Sequence, residues 1–533
     1  MPKPNWGLLT SILIIFFALL FLFNWQKFPL FLDIYYHLNV MRGFELAGGI
    51  VNYDFWELAP VGYVHMYPPL FHLLLLIPYK LGFNLLFIAR FFSTISFPLT
   101  LVTLYFTIGR LFSKKLGFFV TTAACIPYTF FLKAAITIPA NLALIFILFT
   151  FYALERERIL AGSILFSLSF YTHLGLPWIG VLTFLTYGLL RKEKMKSIIS
   201  ILFLTLIFSS PMLFHILHNL DKLEGVLGLK VGENELIEFY PLLYLFALIG
   251  LLKLKVRRIE SRNLFFFALF IGFLPMAINY RYRLISAEGL LPIIFFAGIG
   301  LERCYDSLHE FLKTKKLKSA SVGFYLFFCF ILINFFCPTI SLYNTPLPPH
   351  KKKELSFYLR DSTIVNMLPI YKKHFRPLEV SLYNKDMDKL IGIITENTER
   401  GDIIYSNYTY IGGLLSAFSG RANALHTFYE VKVPPYRVNK IRSSKLLIWL
   451  KDPIRGFDGL LRTYVDKYKL KKIAQTKIAI ILISPNAPKM KPVKPIVSTP
   501  LALLLLSCAL LVICYDLALA RKRFNNLPKS SLE

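Results

Sequence analysis

Long apolar runs dominate the chain from residue 7 to residue 338, and one more lies near the C-terminus. Runs of about 17–25 mainly apolar residues are long enough to cross a bilayer as helices. The pattern predicts about twelve membrane spans, at residues 7–24, 84–108, 116–132, 137–154, 159–172, 175–190, 197–213, 239–252, 263–280, 284–301, 320–338 and 499–519. The apolar run at residues 68–81 is short and begins with two prolines, so we expect it to lie on or dip into the outer leaflet.

Residues 339–498 have the composition of an ordinary soluble protein. Their first part, to residue 385, is rich in proline and lysine and predicts an irregular tether. Beyond it, alternating patterns predict helices at 387–400 and 458–468, strands at 402–406, 445–451 and 477–484, and a turn at glycines 412 and 413. Strands that alternate with helices are typical of a small α/β domain.

The predicted fold is an α-helical polytopic membrane domain joined to a small α/β extracytoplasmic domain. The membrane domain covers residues 1–338 with a large first outer loop at 25–83, the soluble domain 339–498, a final transmembrane helix 499–519 and a basic tail 520–533. Composition agrees, since 56% of the residues are hydrophobic and the mean hydropathy is +0.56. The six cysteines lie in or beside apolar runs, so no disulfide framework is predicted.

The formal net charge of +29 is spread over the membrane boundaries and is not concentrated in one basic module, which argues against a nucleic-acid partner. If the N-terminus is inside, the inner segments carry 24 lysines and arginines and the short outer segments carry 8. The positive-inside rule therefore predicts a multi-pass cell-membrane protein with both termini cytoplasmic and the soluble domain outside.

The first outer loop concentrates the polar residues that could do chemistry. Asp33 follows the first span among apolar neighbours, and an acidic residue at a bilayer surface is costly enough to suggest a function. The supporting candidates in and near this loop are His37, Asp54, Glu57, His65 and Arg90.

This loop resembles that of the C-type membrane glycosyltransferases, which include protein O-mannosyltransferases, the aminoarabinose transferase that modifies lipid A, and the catalytic subunit of oligosaccharyltransferase. Residues 33–38, which read DIYYHL, resemble the acidic motif after helix 1 of this superfamily. Residues 59–62 (APVG) and 67–70 (YPPL) resemble the proline-rich stretch that follows it. The resemblance implies the architecture of the whole chain, and its specific motifs lie within about the first 140 residues.

The resemblance implies transfer of a sugar, with inversion, from a polyprenyl (dolichyl) phosphate donor to a glycan, lipid or protein acceptor on the outer face. Asp33 would be the base or a metal ligand. The second acidic motif of these enzymes is missing from residues 133–141. If a divalent cation such as Mg²⁺ or Mn²⁺ is bound, Asp33 would be its ligand, and Asp54, Glu57 and His37 could complete the site. Whether a cation is needed stays open.

The phosphate that leaves the donor needs positive charge nearby. Arg281 and Arg283 lie at a predicted outer boundary, and guanidinium groups match phosphate oxygens well. An equally good interpretation is that Arg281 and Arg283 anchor the end of a helix at the membrane interface, among neighbouring tyrosines. His65 is a third phosphate-binding candidate, and Glu288 could orient Arg281 from two helical turns away.

A multi-span transporter or lipid flippase is the alternative function. Twelve spans with both termini inside suit a secondary transporter, but such proteins usually contain an internal repeat. The two halves of this chain show none, and the large outer loop and outer domain are atypical of transporters.

The charge distribution makes a topology prediction. In a cysteine-free background, a cysteine at Lys385 should react with a membrane-impermeant thiol reagent in intact cells, and one at Lys315 should not. Labelling of both after permeabilisation is the control. Labelling of the Lys315 position alone in intact cells would reverse the orientation.

Overall fold

A bundle of apolar helices carries a folded α/β unit at one end. The computed structural model describes residues 4–30, 33–223, 236–253, 261–279, 281–314, 339–344, 355–360, 381–427, 431, 440–451, 460–485 and 487–525. The described helices are α1 (Trp6–Phe23), α2 (Asp33–Ala47), α3 (Leu70–Lys80), α4 (Leu85–Leu111), α5 (Lys114–Ala124), α6 (Tyr128–Ile136), α7 (Ile138–Glu155), α8 (Ile159–Phe170), α9 (Leu176–Leu190), α10 (Met195–His218), α11 (Pro241–Lys253), α12 (Leu264–Phe273), α13 (Met276–Asn279), α14 (Arg281–Ser286), α15 (Leu291–Thr314), α16 (Lys385–Asn397), α17 (Thr409–Ser419), α18 (Leu460–Tyr468) and α19 (Thr499–Asn525).

Six helices among the described residues are long and apolar enough to cross a membrane, or seven if one bent pair counts as a span. Five further apolar helices have 10–17 residues, and they include the predicted spans at 159–172 and 175–190. The predicted span at 320–338 lies outside the described residues. The count of twelve is therefore not confirmed, although the chain is polytopic. Helix α3 has 11 residues, too few to cross a bilayer about 30 Å thick.

The predicted span at 116–132 is interrupted, because the chain bends there. Helices α5 and α6 meet at an angle of 83°. Pro127 immediately precedes α6 in an extended conformation, and a proline has no amide hydrogen with which to continue the helix from α5. A second interruption at Thr137 separates α6 from α7. The break leaves α6 short and brings its last turn to the end of the bundle near α2.

Ion pairs tie together the ends of the bundle helices that lie opposite the α/β unit. The pairs are Lys115–Glu302 at 3.8 Å, Arg191–Glu155 at 3.1 Å, Arg262–Glu155 at 3.2 Å and Arg158–Asp516 at 3.6 Å. They connect five of the segments that the charge distribution assigns to the cytoplasmic side. The structure thus brings those segments to one end of the bundle, in agreement with the alternation of the predicted spans.

The α/β unit contains a five-stranded mixed sheet. Its order is β10 (Lys471–Gln475), β11 (Ala479–Ile483), β9 (Leu446–Leu450), β7 (Ile403–Ser406) and β8 (Ala422–Asn423), with β7 parallel to β8 and β9. The helices α16 and α18 and the strands β7, β9 and β11 confirm the predicted pattern within a few residues.

Two predictions for this part of the chain are wrong. Glycines 412 and 413 lie inside helix α17 and do not form a turn. Their missing side chains let the helix pack closely against its neighbours. A Cβ atom at Gly413 would lie 2.7 Å from the side chain of Thr427. The predicted tether contains β5 (Thr339–Asn344) and β6 (Leu355–Arg360). Strand β5 lies between β6 and β4 (Leu236–Phe239) in a three-stranded antiparallel sheet.

The first outer loop and the α/β unit share one hydrophobic core. Side chains of α2, α3 and the start of α4 pack in it against those of α16, α17 and the five-stranded sheet. Short strands extend the contact, since β1 (Gly49–Ile50) pairs with β12 (Val497–Ser498) next to the last helix. The loop is thus folded between the bundle and the α/β unit, and its second hairpin joins β2 (Tyr53–Asp54) to β3 (Tyr63–Val64).

Helices α11 and α15 pack closely because a glycine of each faces the backbone of the other. A Cβ atom at Gly250 would lie 2.0 Å from the carbonyl oxygen of Phe296. A Cβ atom at Gly300 would lie 2.0 Å from the carbonyl oxygen of Phe246. Small residues at such a crossing let two membrane helices approach through their backbones.

We expect Gly250→Ala to lower the thermal unfolding midpoint of the detergent-purified protein, because the added methyl group must push α11 away from α15. Overpacking of this kind costs about 1–3 kcal/mol. Gly392→Ala in α16 is the matched control, since a Cβ atom there meets nothing within 4 Å and alanine favours a helix. An equal or higher midpoint for Gly250→Ala would contradict the close crossing.

Candidate functional site

Asp33 lies at the start of α2, at the end of the bundle that carries the α/β unit. It is half-buried and stands in the first turn of the helix, where the helix dipole favours a negative charge. The next residue on the same helical face is His37, one turn away. Asp33 is therefore close to the bundle surface and is backed by the buried side of α2.

Two basic side chains from other helices act on Asp33. Lys133 lies in the last turn of α6, and Arg283 lies in α14. Burial raises the pKa of Asp33 above its usual value, and the charges of Lys133 and Arg283 oppose that rise. The charges of two basic residues from separate segments thus act on one acid at this end of the bundle. The sequence does not single out Lys133, because a single lysine near the end of an apolar run carries no specific signal.

Arg283 also reaches Glu288, whose carboxylate Oε1 lies 3.9 Å from its Nη1 atom. Glu288 is buried, and neither of its oxygens accepts a hydrogen bond within the described part of the chain. Glu288 was predicted to orient Arg281 along one helix. The structure describes Arg283 beside Glu288, and α14 ends at Ser286. The side chain of Arg281 lies outside the described residues.

Three histidines of the first outer loop cluster behind Asp33. His37 Nδ1 and His72 Nε2 are 3.0 Å apart, and the rings of His65 and His72 are 5.7 Å apart. Burial lowers the pKa of His37 and of His65 to about 3, so both are neutral near pH 7. His65 was predicted to bind phosphate, and this role stays a prediction; its ring is buried and packs against the rings of Phe44 and His72.

Asp54 and Glu57 take part in the packing of the loop. One oxygen of Asp54 accepts hydrogen bonds from the backbone N–H groups of Trp56 and Glu57, both at 2.9 Å. Glu57 is fully buried and accepts hydrogen bonds from Asn39, Tyr63 and Thr427. Burial raises the pKa of Glu57, and the neighbouring charge of Asp54 adds to that rise. The structure brings neither acid into the group formed by Asp33, Lys133 and Arg283.

Arg90 holds the chain that leads into α2. Its Nε atom donates a hydrogen bond of 2.9 Å to the carbonyl oxygen of Phe28, five residues before Asp33. Electrostatic interactions also link it to Tyr35 and Tyr383. Arg90, one of the predicted supporting residues, therefore contacts the segment that leads into α2 and positions Asp33.

Chemically, the site combines a carboxylate of raised pKa with two cations. A carboxylate near the bundle surface can accept a proton from a substrate. Lysine and arginine can bind a phosphate whose negative charge increases as a bond breaks. A substrate with a lipid tail would enter from the bilayer, which the apolar helices face.

Several solved structures share this architecture, whereas no protein-family model and no curated protein matches the sequence. The oligosaccharyltransferase of Archaeoglobus fulgidus in the apo form has a TM-score of 0.53 and 11% identity, over 79% of this chain and 65% of that enzyme. Its complex with an inhibitory peptide and a dolichol-phosphate has a TM-score of 0.51 and 12% identity, over 83% and 69% of the two chains. The chain thus spans about two thirds of the archaeal enzyme.

The second neighbour matches over nearly its whole length. ArnT from Cupriavidus metallidurans bound to undecaprenyl phosphate has a TM-score of 0.50 and 10% identity, over 90% of this chain and 99% of ArnT. The apo state of ArnT has a TM-score of 0.51. Both neighbours are C-type membrane glycosyltransferases, the superfamily that the first outer loop resembles. The chain therefore has a C-type membrane glycosyltransferase fold.

Proposed function

We propose that the chain is a membrane glycosyltransferase that moves a sugar from a polyprenyl-phosphate donor to an acceptor on the outer face of the cell membrane. The proposal rests mainly on Asp33, a half-buried carboxylate at the bundle end that is flanked by Lys133 and Arg283. The neighbours support it, because their complexes contain dolichol-phosphate and undecaprenyl phosphate. The outward orientation of this end follows from the distribution of lysine and arginine.

In the proposed reaction, Asp33 is the general base. An acceptor hydroxyl attacks the anomeric carbon of the donor while its proton passes to the Asp33 carboxylate. The bond between the anomeric carbon and the phosphate oxygen breaks, and the phosphate leaves with the electron pair. One direct displacement inverts the anomeric carbon. The raised pKa of Asp33 makes it a stronger base than an exposed aspartate.

Lys133 and Arg283 would stabilise the charge that develops on the leaving phosphate, and Glu288 would orient Arg283 through their ion pair. The surroundings of Asp33 fit a divalent cation poorly. The charged groups described as acting on its carboxylate, Lys133 and Arg283, are both positive and would repel a cation. Among the described residues, no group of three or more His, Cys, Asp or Glu side chains is arranged to hold a metal ion. We therefore propose that Lys133 and Arg283 supply the positive charge that a metal ion would otherwise provide to the leaving phosphate.

The test of function is a transfer assay with the purified full chain in detergent or proteoliposomes. A panel of polyprenyl-phosphate sugars is offered, and release of polyprenyl phosphate and glycosylation of added acceptors are followed. Transfer by purified protein separates an enzyme from a transporter or flippase, which would move the lipid across a vesicle membrane without cleaving the sugar.

Asp33→Asn should lower the transfer rate by about 10²–10⁴-fold, the usual contribution of general-base catalysis. The amide keeps the size of the side chain but cannot take the proton. In the wild type, the rate should fall as the pH is lowered through the pKa of Asp33, which lies above the ordinary value of 3.8. Asp386→Asn, in the first turn of α16, is the matched control. Full activity of Asp33→Asn would remove Asp33 as the base.

If Arg283 and Lys133 replace a metal ion, transfer should persist in excess EDTA, whereas Arg283→Lys should lower it about 10-fold or more. Lysine keeps the charge but loses the forked contact with phosphate oxygens, and a hydrogen bond to a charged group is worth about 1.5–3 kcal/mol. Arg400→Lys is the control, because Arg400 pairs with Glu45 at the surface. Loss of activity in EDTA, restored by Mg²⁺ or Mn²⁺, would show a metal requirement.

A further inference from the structure

The imidazole pair of His37 and His72 joins the two helices of the first outer loop. His37 Nδ1 faces His72 Nε2 at 3.0 Å. The ring of His72 is fully buried, with the Phe44 ring 5.6 Å away and the Tyr67 ring 5.7 Å away. The other nitrogen of His72, Nδ1, is also buried and has no hydrogen-bond partner among the residues that the structure describes.

Both rings are neutral near pH 7, because burial lowers the pKa of each. Two neutral imidazoles carry two protons on four nitrogens. One of these protons lies in the hydrogen bond between the rings. The direction of that bond therefore decides which nitrogen of His37 carries a proton.

The unpartnered nitrogen of His72 favours one direction. If His37 donated the bond, His72 would need its proton on Nδ1, which would leave a buried N–H group with no acceptor. Buried N–H groups without a partner are rare in proteins. If His72 Nε2–H donates, Nδ1 of His72 keeps only a lone pair. His37 then accepts the bond at Nδ1 and carries its own proton on Nε2.

We propose that His72 fixes His37 in the form protonated at Nε2, so that this N–H group donates a hydrogen bond to a phosphate oxygen of the lipid-linked donor. This inference rests on the proposed function and deepens it. His37 is then a donor-binding residue, and His72 is a positioning residue that acts through it.

The surroundings of His37 support a phosphate oxygen as the acceptor. His37 lies one helical turn from Asp33 on the same face of α2. The ring of Tyr67 lies 5.0 Å from the ring of His37 and 6.2 Å from the ring of His173, and the charge of Arg283 acts on His173. A neutral N–H donor can bind an anionic oxygen there without adding a third positive charge to those of Lys133 and Arg283.

The first test reads the tautomer directly and needs no activity. Magic-angle-spinning NMR of the full chain in lipid bilayers, labelled with ¹⁵N,¹³C-histidine, separates rings protonated at Nδ1 from those protonated at Nε2. The signal of His37 is assigned by its loss in His37→Phe. We expect both His37 and His72 to be protonated at Nε2. A proton on Nδ1 of His37 in the wild type would overturn the inference without any variant of His72.

The second test breaks the hydrogen bond. In His72→Phe, which keeps a buried ring, His37 should become a mixture of the two forms. His65→Phe is the matched control, since it makes the same kind of change in the same cluster but leaves the hydrogen bond between His37 and His72 in place. It should leave the His37 signal in one form. A His37 signal that is identical in wild type and His72→Phe would contradict the positioning role.

The third test adds a short-chain polyprenyl monophosphate. The His37 Nε2 resonance should shift on addition, and His37→Phe should bind the probe about 10- to 100-fold more weakly, the loss expected for one hydrogen bond to a charged group. His72→Phe should weaken binding only about 2- to 5-fold, because part of the His37 population keeps its proton on Nε2. Sugar transfer and probe binding by the wild type with an unmoved His37 resonance would overturn this inference alone. A chain that neither binds the probe nor transfers sugar would overturn the proposed function as well.

Discussion

The carboxylate of Glu57 holds together three parts of the chain at the outer end of the bundle. Asn39 of α2, Tyr63 of the hairpin and Thr427 of the α/β unit all donate hydrogen bonds to it. A fully buried carboxylate is tolerated only where such donors replace water. The position of α2, and with it that of Asp33, depends on this arrangement because α2 is packed between the bundle and the α/β unit.

The membrane imposes the second constraint. Backbone groups in a bilayer must be satisfied within the protein, so a helix breaks only where protein surrounds the break. The bend between α5 and α6 lies at such a position, and Cys125, Pro127 and Tyr128 lie within or beside the large core of the bundle. The break directs the last turn of α6, and therefore Lys133, towards α2. A straight helix through the same residues would lack this geometry.

The electrostatics of the site follow from these two constraints. Burial makes a charge on Asp33 costly, while Lys133 and Arg283 offset part of that cost. Behind this charged group, the loop histidines are neutral and packed among aromatic rings. The site therefore has a charged side, suited to a phosphate and a proton acceptor, and a neutral side, suited to fixed hydrogen bonds.

The sequence by itself determined the class of the protein and its main acidic candidate, Asp33. Long apolar runs, the uneven distribution of lysine and arginine, and the motifs at residues 33–38 and 67–70 do not depend on tertiary packing. For the same reason, strands β7, β9 and β11 were predicted from local alternation of polar and apolar residues.

Only the tertiary structure decided which residues meet. It placed Arg283 beside Glu288, brought Asp33 under the influence of the charge of Lys133, and turned Glu57 into a packing residue. Partners such as Glu57 and Thr427 are 370 positions apart. The local alternation of polar and apolar residues indicates whether a side chain is buried. It does not indicate which distant segment that side chain contacts, because this depends on how the helices and strands pack.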